Sequence, residues 1–125
     1  MSTAANKALV LAFYEQAFND RQPEEAATHL GAGYTQHNPG ALDGAEGFIS
    51  YMLWLHGQYP ELHLDIKRAI AEDDLVVTHS NLHLTPGDLG MAAIDILRIV
   101  DGKIVEHWDV MQDVPEKSSN DNTMF

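Results

Sequence analysis

The sequence predicts an α+β fold: three helices cover one face of a curved sheet that closes into a cone-shaped barrel with a pocket inside. Three observations carry this. Apolar residues recur at helical spacing in the first half of the chain, and from Leu62 onward the apolar period drops to two. The strongest β-signal is the hairpin Ala92-Ala-Ile-Asp-Ile-Leu-Arg-Ile-Val-Asp-Gly-Lys-Ile-Val-Glu-His-Trp-Asp109, joined at Asp101-Gly102. Helices segregated from a run of strands argue α+β.

The elements follow in order. Residues 3–20 read as an amphipathic helix, with Leu9, Phe13 and Ala17 on one stripe and Val10, Tyr14 and Phe18 on the next. Pro23 opens a second short helix to about Leu30, with Glu24 and Glu25 in the first turn where the helix dipole favours acid. Gly31 and Gly33 break it, and Tyr34-Thr-Gln-His37 is a short strand stopped by Asn38-Pro39-Gly40. A third helix, about 45–58, carries Phe48, Met52 and Leu55 and ends at Tyr59-Pro60. Leu62, Leu64 and Ile66 alternate with polar residues in the first strand of a four-strand antiparallel meander. Residues 75–85 form the second strand, and 90–100 with 103–113 the final hairpin. Residues 1–114 read as a single domain and 115–125 as a polar tail. Its last two residues, Met124 and Phe125, are expected to dock onto the protein, across a dimer.

Composition narrows the function. The chain of 125 residues has 45% hydrophobic residues, enough for one packed core. It has no cysteine, which rules out disulfides, thiolate metal sites and a cysteine nucleophile. Its formal charge of −12 repels phosphate backbones and anionic membranes. With no signal-peptide pattern and no transmembrane-length apolar run, a cytoplasmic protein without nucleic-acid or membrane partners is expected.

Asp95 is the first candidate for chemistry. If Asp101-Gly102 is a two-residue loop, Val100 pairs with Lys103 and Asp95 lies opposite Trp108, on the same face. A mid-strand carboxylate beside a large aromatic is costly unless it is exposed, paired or useful. Strict alternation then places Ile96, Arg98 and His107 on the other face, and a bulge in either strand would reverse one side. His79, centred in Val77-Thr-His-Ser-Asn81 on the neighbouring strand, is expected to join Asp95 as an acid/base pair, since a carboxylate can fix an imidazole tautomer. His37 ends the short first strand, where it would position a substrate; a half-exposed histidine or turn cap is the plainer alternative for both. Tyr14, Tyr51, Trp54 and Trp108 are core aromatics that can also line a pocket. His37, His79 and Asp95 match a two-histidine, one-carboxylate metal triad in composition, but no HExxH-type spacing supports it, so no metal is expected. No GxSxG elbow or glycine-rich phosphate loop is present. The outer face, with Ile94, Ile96, Val105 and Met111, is apolar enough to predict a two-fold homodimer.

The segments Tyr34-Thr-Gln-His-Asn-Pro39, Asp74-Leu-Val-Val-Thr-His79 and Ile94-Asp-Ile-Leu-Arg98 through Trp108-Asp109 resemble the SnoaL-like polyketide cyclases of the NTF2-like superfamily. More narrowly, the chain looks like the predicted SnoaL-like aldol-condensation-catalysing enzymes. The resemblance covers nearly the whole chain. It implies a cone-shaped barrel, a dimer through the outer sheet face, and neither metal nor organic cofactor. Asp95 matches the inward aspartate that acts as acid/base in aldol ring closure in the cyclases, and it resembles a functional aspartate of the ketosteroid isomerases. The strand-to-strand turns are shorter than in the polyketide cyclases, which argues against a large polycyclic substrate. The function expected is therefore acid/base catalysis on a small apolar carbonyl compound, by aldol-type cyclisation or isomerisation. The alternative is a non-catalytic ligand-binding or dimerisation module, since this fold hosts both.

Overall fold

The computed structural model describes residues 2–125. Helix α1 (Thr3–Tyr14) starts at Ser2, whose hydroxyl accepts from the Ala5 N–H at 3.0 Å. It widens into a π-helical turn over Glu15–Asn19, closed by the Asp20 N–H on the Glu15 carbonyl at 2.9 Å. That turn delivers Asn19 to an exposed strand edge, where its side chain exchanges two hydrogen bonds with the Leu64 backbone at 2.9 and 3.0 Å. Helix α2 (Pro23–Ala26), with Pro at its start, passes through a 3₁₀ turn into β1 (Leu30–Gln36). Helix α3 (Gly44–Gln58) precedes β2 (His63–Glu72), β3 (Leu75–His83), β4 (Met91–Val100) and β5 (Lys103–Asp113).

The strands form one sheet in the order β1-β5-β4-β3-β2, antiparallel except for β1, which lies parallel to β5. β1 and β2 are its two edges, so the sheet is open rather than closed on itself as a barrel. Helices α1 and α3 cover its inner face. Val10, Phe13, Met52 and Leu55 pack there against Leu62, Val76, Leu97 and Ile104. No helix among the described residues is long and apolar enough to cross a membrane.

Two strands run longer than the sequence pattern suggests. β1 begins at Leu30 because Gly31 lets it pass close to β5; a Cβ there would sit 2.9 Å from Val105 Cγ1. β2 continues to Glu72 through a bulge between Ile66 and Arg68, which hides the alternation of its second half. Beyond β5 the tail turns back over the outer face of its own sheet. The Met124 carbonyl accepts from His79 Nε2 at 2.8 Å, the Phe125 ring stacks on His79 at 5.7 Å, and the Lys67 ammonium lies 5.6 Å from that ring.

Candidate active site

One extra residue decides what faces the pocket. Val100 pairs with Lys103 and Ile99 with Ile104, as a two-residue loop requires. Arg98 then pairs with Glu106, leaving Val105 as a bulge. From there the register is Leu97 with His107, Ile96 with Trp108, and Asp95 with Asp109. The expected pairing of Asp95 with Trp108 is therefore off by one. His107, Asp109 and Met111 turn inward beside Asp95, and Trp108 turns out with Ile96 and Arg98. The signal for this was present in Ile104-Val105, where two successive apolar residues interrupt the alternation.

β1 completes the site. In Tyr34-Thr-Gln-His-Asn38 the first, third and fifth side chains line the pocket, opposite His107 and Asp109. The hydrogen bonds there settle a tautomer. The Asn38 backbone N–H, which can only donate, reaches Gln36 Oε1 at 2.9 Å. That atom is therefore the amide oxygen, consistent with Gln36 Nε2 donating to the Tyr34 hydroxyl at 3.1 Å. His107 Nδ1 lies 2.7 Å from the same oxygen and must carry a hydrogen. The other ring nitrogen, Nε2, lies 2.7 Å from Asp95 Oδ1. One proton bridges that gap, held either by the imidazole or by the carboxyl. Asp95 and His107 are both about nine-tenths buried, so the contact is shielded from competing water.

The rest of the pocket adds acid and phenol. The Asp109 carboxylate accepts from the Asn38 amide at 3.0 Å. Burial pushes its pKa above the ordinary carboxylate value, and the charge of Asp95 adds to the rise. Tyr14, Tyr34 and Tyr51 all have pKa values raised first by burial and then by nearby charges, including Asp95 and Asp109, so each stays a neutral O–H donor. The Tyr14 hydroxyl is buried and makes no hydrogen bond of good geometry; its pKa is raised first by burial and then by Asp95, through charge and a weak hydrogen bond. The lining is otherwise apolar, from Phe13, Phe18, Phe48 and Leu55 among others. The cavity that these side chains enclose has a volume of about 60 Å³.

The other residues singled out from sequence fall as follows. Tyr14 and Tyr51 line the pocket. His79 does not: it sits opposite Ile94, while its neighbour Thr78 is the partner of Asp95, so alternation sends the imidazole to the outer face against Arg68 and the tail. His37 also points outward, bonded to Glu106 at 2.7 Å and stacked on Trp108 at 4.8 Å. Trp54 is 55% exposed on α3, outside the pocket. The metal triad His37, His79 and Asp95 is thus split between two faces of the sheet. The side-chain atoms that do converge are those of Asp95, His107 and Asp109, all within 4.8 Å of one another, a donor set able to share a proton or an ion.

Helices packed on the inner face of a curved mixed sheet, over an apolar pocket with an ionisable cluster, define a small α+β domain. The chain belongs to the SnoaL-like domain family, whose model matches residues 10–107. Solved structures agree on this NTF2-like fold. A candidate polyketide cyclase from Bacillus cereus ATCC 10987 superposes with a TM-score of 0.74 at 24% identity, over 86% of this chain and 74% of that one. AclR, a candidate hydroxylase from Streptomyces galilaeus, gives 0.73 at 25% identity, over 89% and 91%. A candidate ketosteroid isomerase from Kribbella flavida DSM 17836 gives 0.75 at 22%, over 94% and 85%. No curated protein matches the chain.

Proposed function

We propose that the protein is an acid/base enzyme, independent of any cofactor, that acts on a small carbonyl compound with an acidic α-proton, by aldol-type cyclisation or isomerisation. The observation that supports this most is the single-proton contact between His107 Nε2 and Asp95 in an apolar pocket. Asp95 as carboxylate takes the α-proton, and the C–H electrons pass into the carbonyl to make an enolate. The Tyr14 hydroxyl, buried beside Asp95, donates to the enolate oxygen. Asp95 then returns the proton to a different carbon, which is isomerisation. In the aldol case the enolate carbon bonds to a second carbonyl carbon, and the proton goes to the resulting alkoxide. His107, anchored through Nδ1 by Gln36, holds Asp95 in position throughout.

The test is α-hydrogen exchange in D₂O, followed by proton NMR across a panel of small 1,3-diketones and α,β-unsaturated ketones. The wild type should accelerate exchange for at least one compound, and Asp95→Asn should lose that acceleration by about 10²–10⁴-fold. Equal rates in the two folded proteins across the panel would sink the proposal.

A further inference from the structure

The pocket alone, about 60 Å³, is too small for much more than the reacting carbonyl and its immediate neighbours. Next to it lies a shallow groove of about 310 Å³, between α3 and the loop that precedes it. The two share Ala41 and Tyr51 as a common wall. The groove is lined by Leu42, Ser50, Tyr51 and Trp54 with two glycines, and no charged side chain lines it among the described residues. Leu42 is 78% exposed and Trp54 55%, large apolar surfaces left open along this groove.

The groove is built rather than a gap between loose parts. Gly47 of α3 lets the loop sit directly on the helix backbone; a Cβ there would come within 2.3 Å of the Leu42 carbonyl oxygen. The Gly40 N–H is held by Asn38 Oδ1 at 2.8 Å, and the same Asn38 amide holds Asp109. The groove's loop is thereby tied to the ionisable cluster. Tyr51 leans on Trp54 with ring centroids 6.1 Å apart, making one aromatic surface that runs from pocket to groove.

From this continuity we infer that the groove is a second substrate subsite, which takes an uncharged aryl or alkyl arm of the molecule whose carbonyl enters the pocket. The inference rests on the carbonyl-pocket reading above and narrows it. The substrate is an elongated ketone, with a short polar head and one ring-sized apolar arm lying across Trp54 beneath Leu42.

Phenol and 4-phenylphenol test this as a pair, since a phenol oxygen has the geometry of an enol and the second compound adds one apolar ring. Their affinities are measured by isothermal titration calorimetry, and the two tryptophan indole N–H signals are followed alongside by NMR. 4-Phenylphenol should bind at least about tenfold tighter than phenol, a modest return for partial burial of a ring. Only 4-phenylphenol should move the Trp54 signal, and Trp108, on the far face, should stay still. Trp54→Ala and Leu42→Ser should each remove most of the gain while leaving phenol affinity unchanged. A gain that survives in both variants, a silent Trp54 signal, or binding of neither compound overturns the inference. Asp95→Asn keeps the two readings apart: if it leaves phenol affinity unchanged, the carbonyl-pocket reading fails, whatever happens at Trp54.

Discussion

Asp109 faces Asp95 across the β4–β5 ladder, and burial holds its pKa above the ordinary carboxylate value. A raised folded-state pKa means that the ionised form costs the folded state. The contribution is intact below the unfolded pKa and is lost as pH rises through the folded one. Asp109→Asn should therefore raise the melting temperature at pH 7, and the advantage should fade as pH falls towards 4; melting curves across that range check it. Tyr14→Phe separates stability from activity. Removing a buried hydroxyl that makes no hydrogen bond of good geometry relieves a desolvation cost of about 1–3 kcal/mol, so the melting temperature should hold or rise. Loss of an enolate donor should cut turnover by about 10²–10³-fold. If activity in Tyr14→Phe is unchanged, that hydroxyl does not touch the reacting oxygen. Asp95 was legible in the sequence because a carboxylate in the middle of a strong strand needs a reason. His107 was not, because its direction depends on a single uncounted residue.

That residue, Val105, shows where reading by element runs out. The hairpin, its two-residue turn and both its strands follow from Asp101-Gly102 and period-two alternation, and the structure has them. Alternation propagates an error, so one bulge turned Trp108 and Met111 to the wrong faces along with His107. No two-residue turn fixed the register of β3, so mid-strand position alone put His79 beside Asp95, where its neighbour Thr78 stands. Helices are less exposed to this kind of error, and α3 lies where its apolar spacing and Tyr59-Pro60 place it. Two glycines of α3 make opposite predictions. Gly57 has open space around a Cβ, so Gly57→Ala should stabilise by up to about 1 kcal/mol through helix propensity. Gly47→Ala should destabilise in spite of the same propensity gain, because its Cβ meets the Leu42 carbonyl. Urea denaturation of the two variants reads both signs; a stabilised Gly47→Ala would mean that the loop does not rest on α3.

At the scale of the molecule, helices against strands was the legible part, and closure was not: periodicity reports which face of a strand is apolar, not whether two edges meet. The outer face carries the tail together with exposed Ile70, Ile94 and Val110. A two-fold dimer through this face remains the expectation from its apolar content, and it would have to form around the docked Met124 and Phe125. Deleting residues 116–125 should lower the melting temperature, since it strips His79 of both the Met124 carbonyl and the Phe125 ring. Light scattering on the same pair of proteins reads whether the tail also contributes to assembly. No change in stability or mass would mean that the tail does nothing structural.

One proton is held between Asp95 and His107 while Gln36 fixes the other side of the imidazole. Nitrogen-15 NMR of the His107 ring tests it directly. Nδ1 should be protonated in the wild type, and in Asp95→Asn only the Nε2 signal should change character. An Nδ1 without a proton in the wild type would contradict the hydrogen-bond chain on which the proposed chemistry rests.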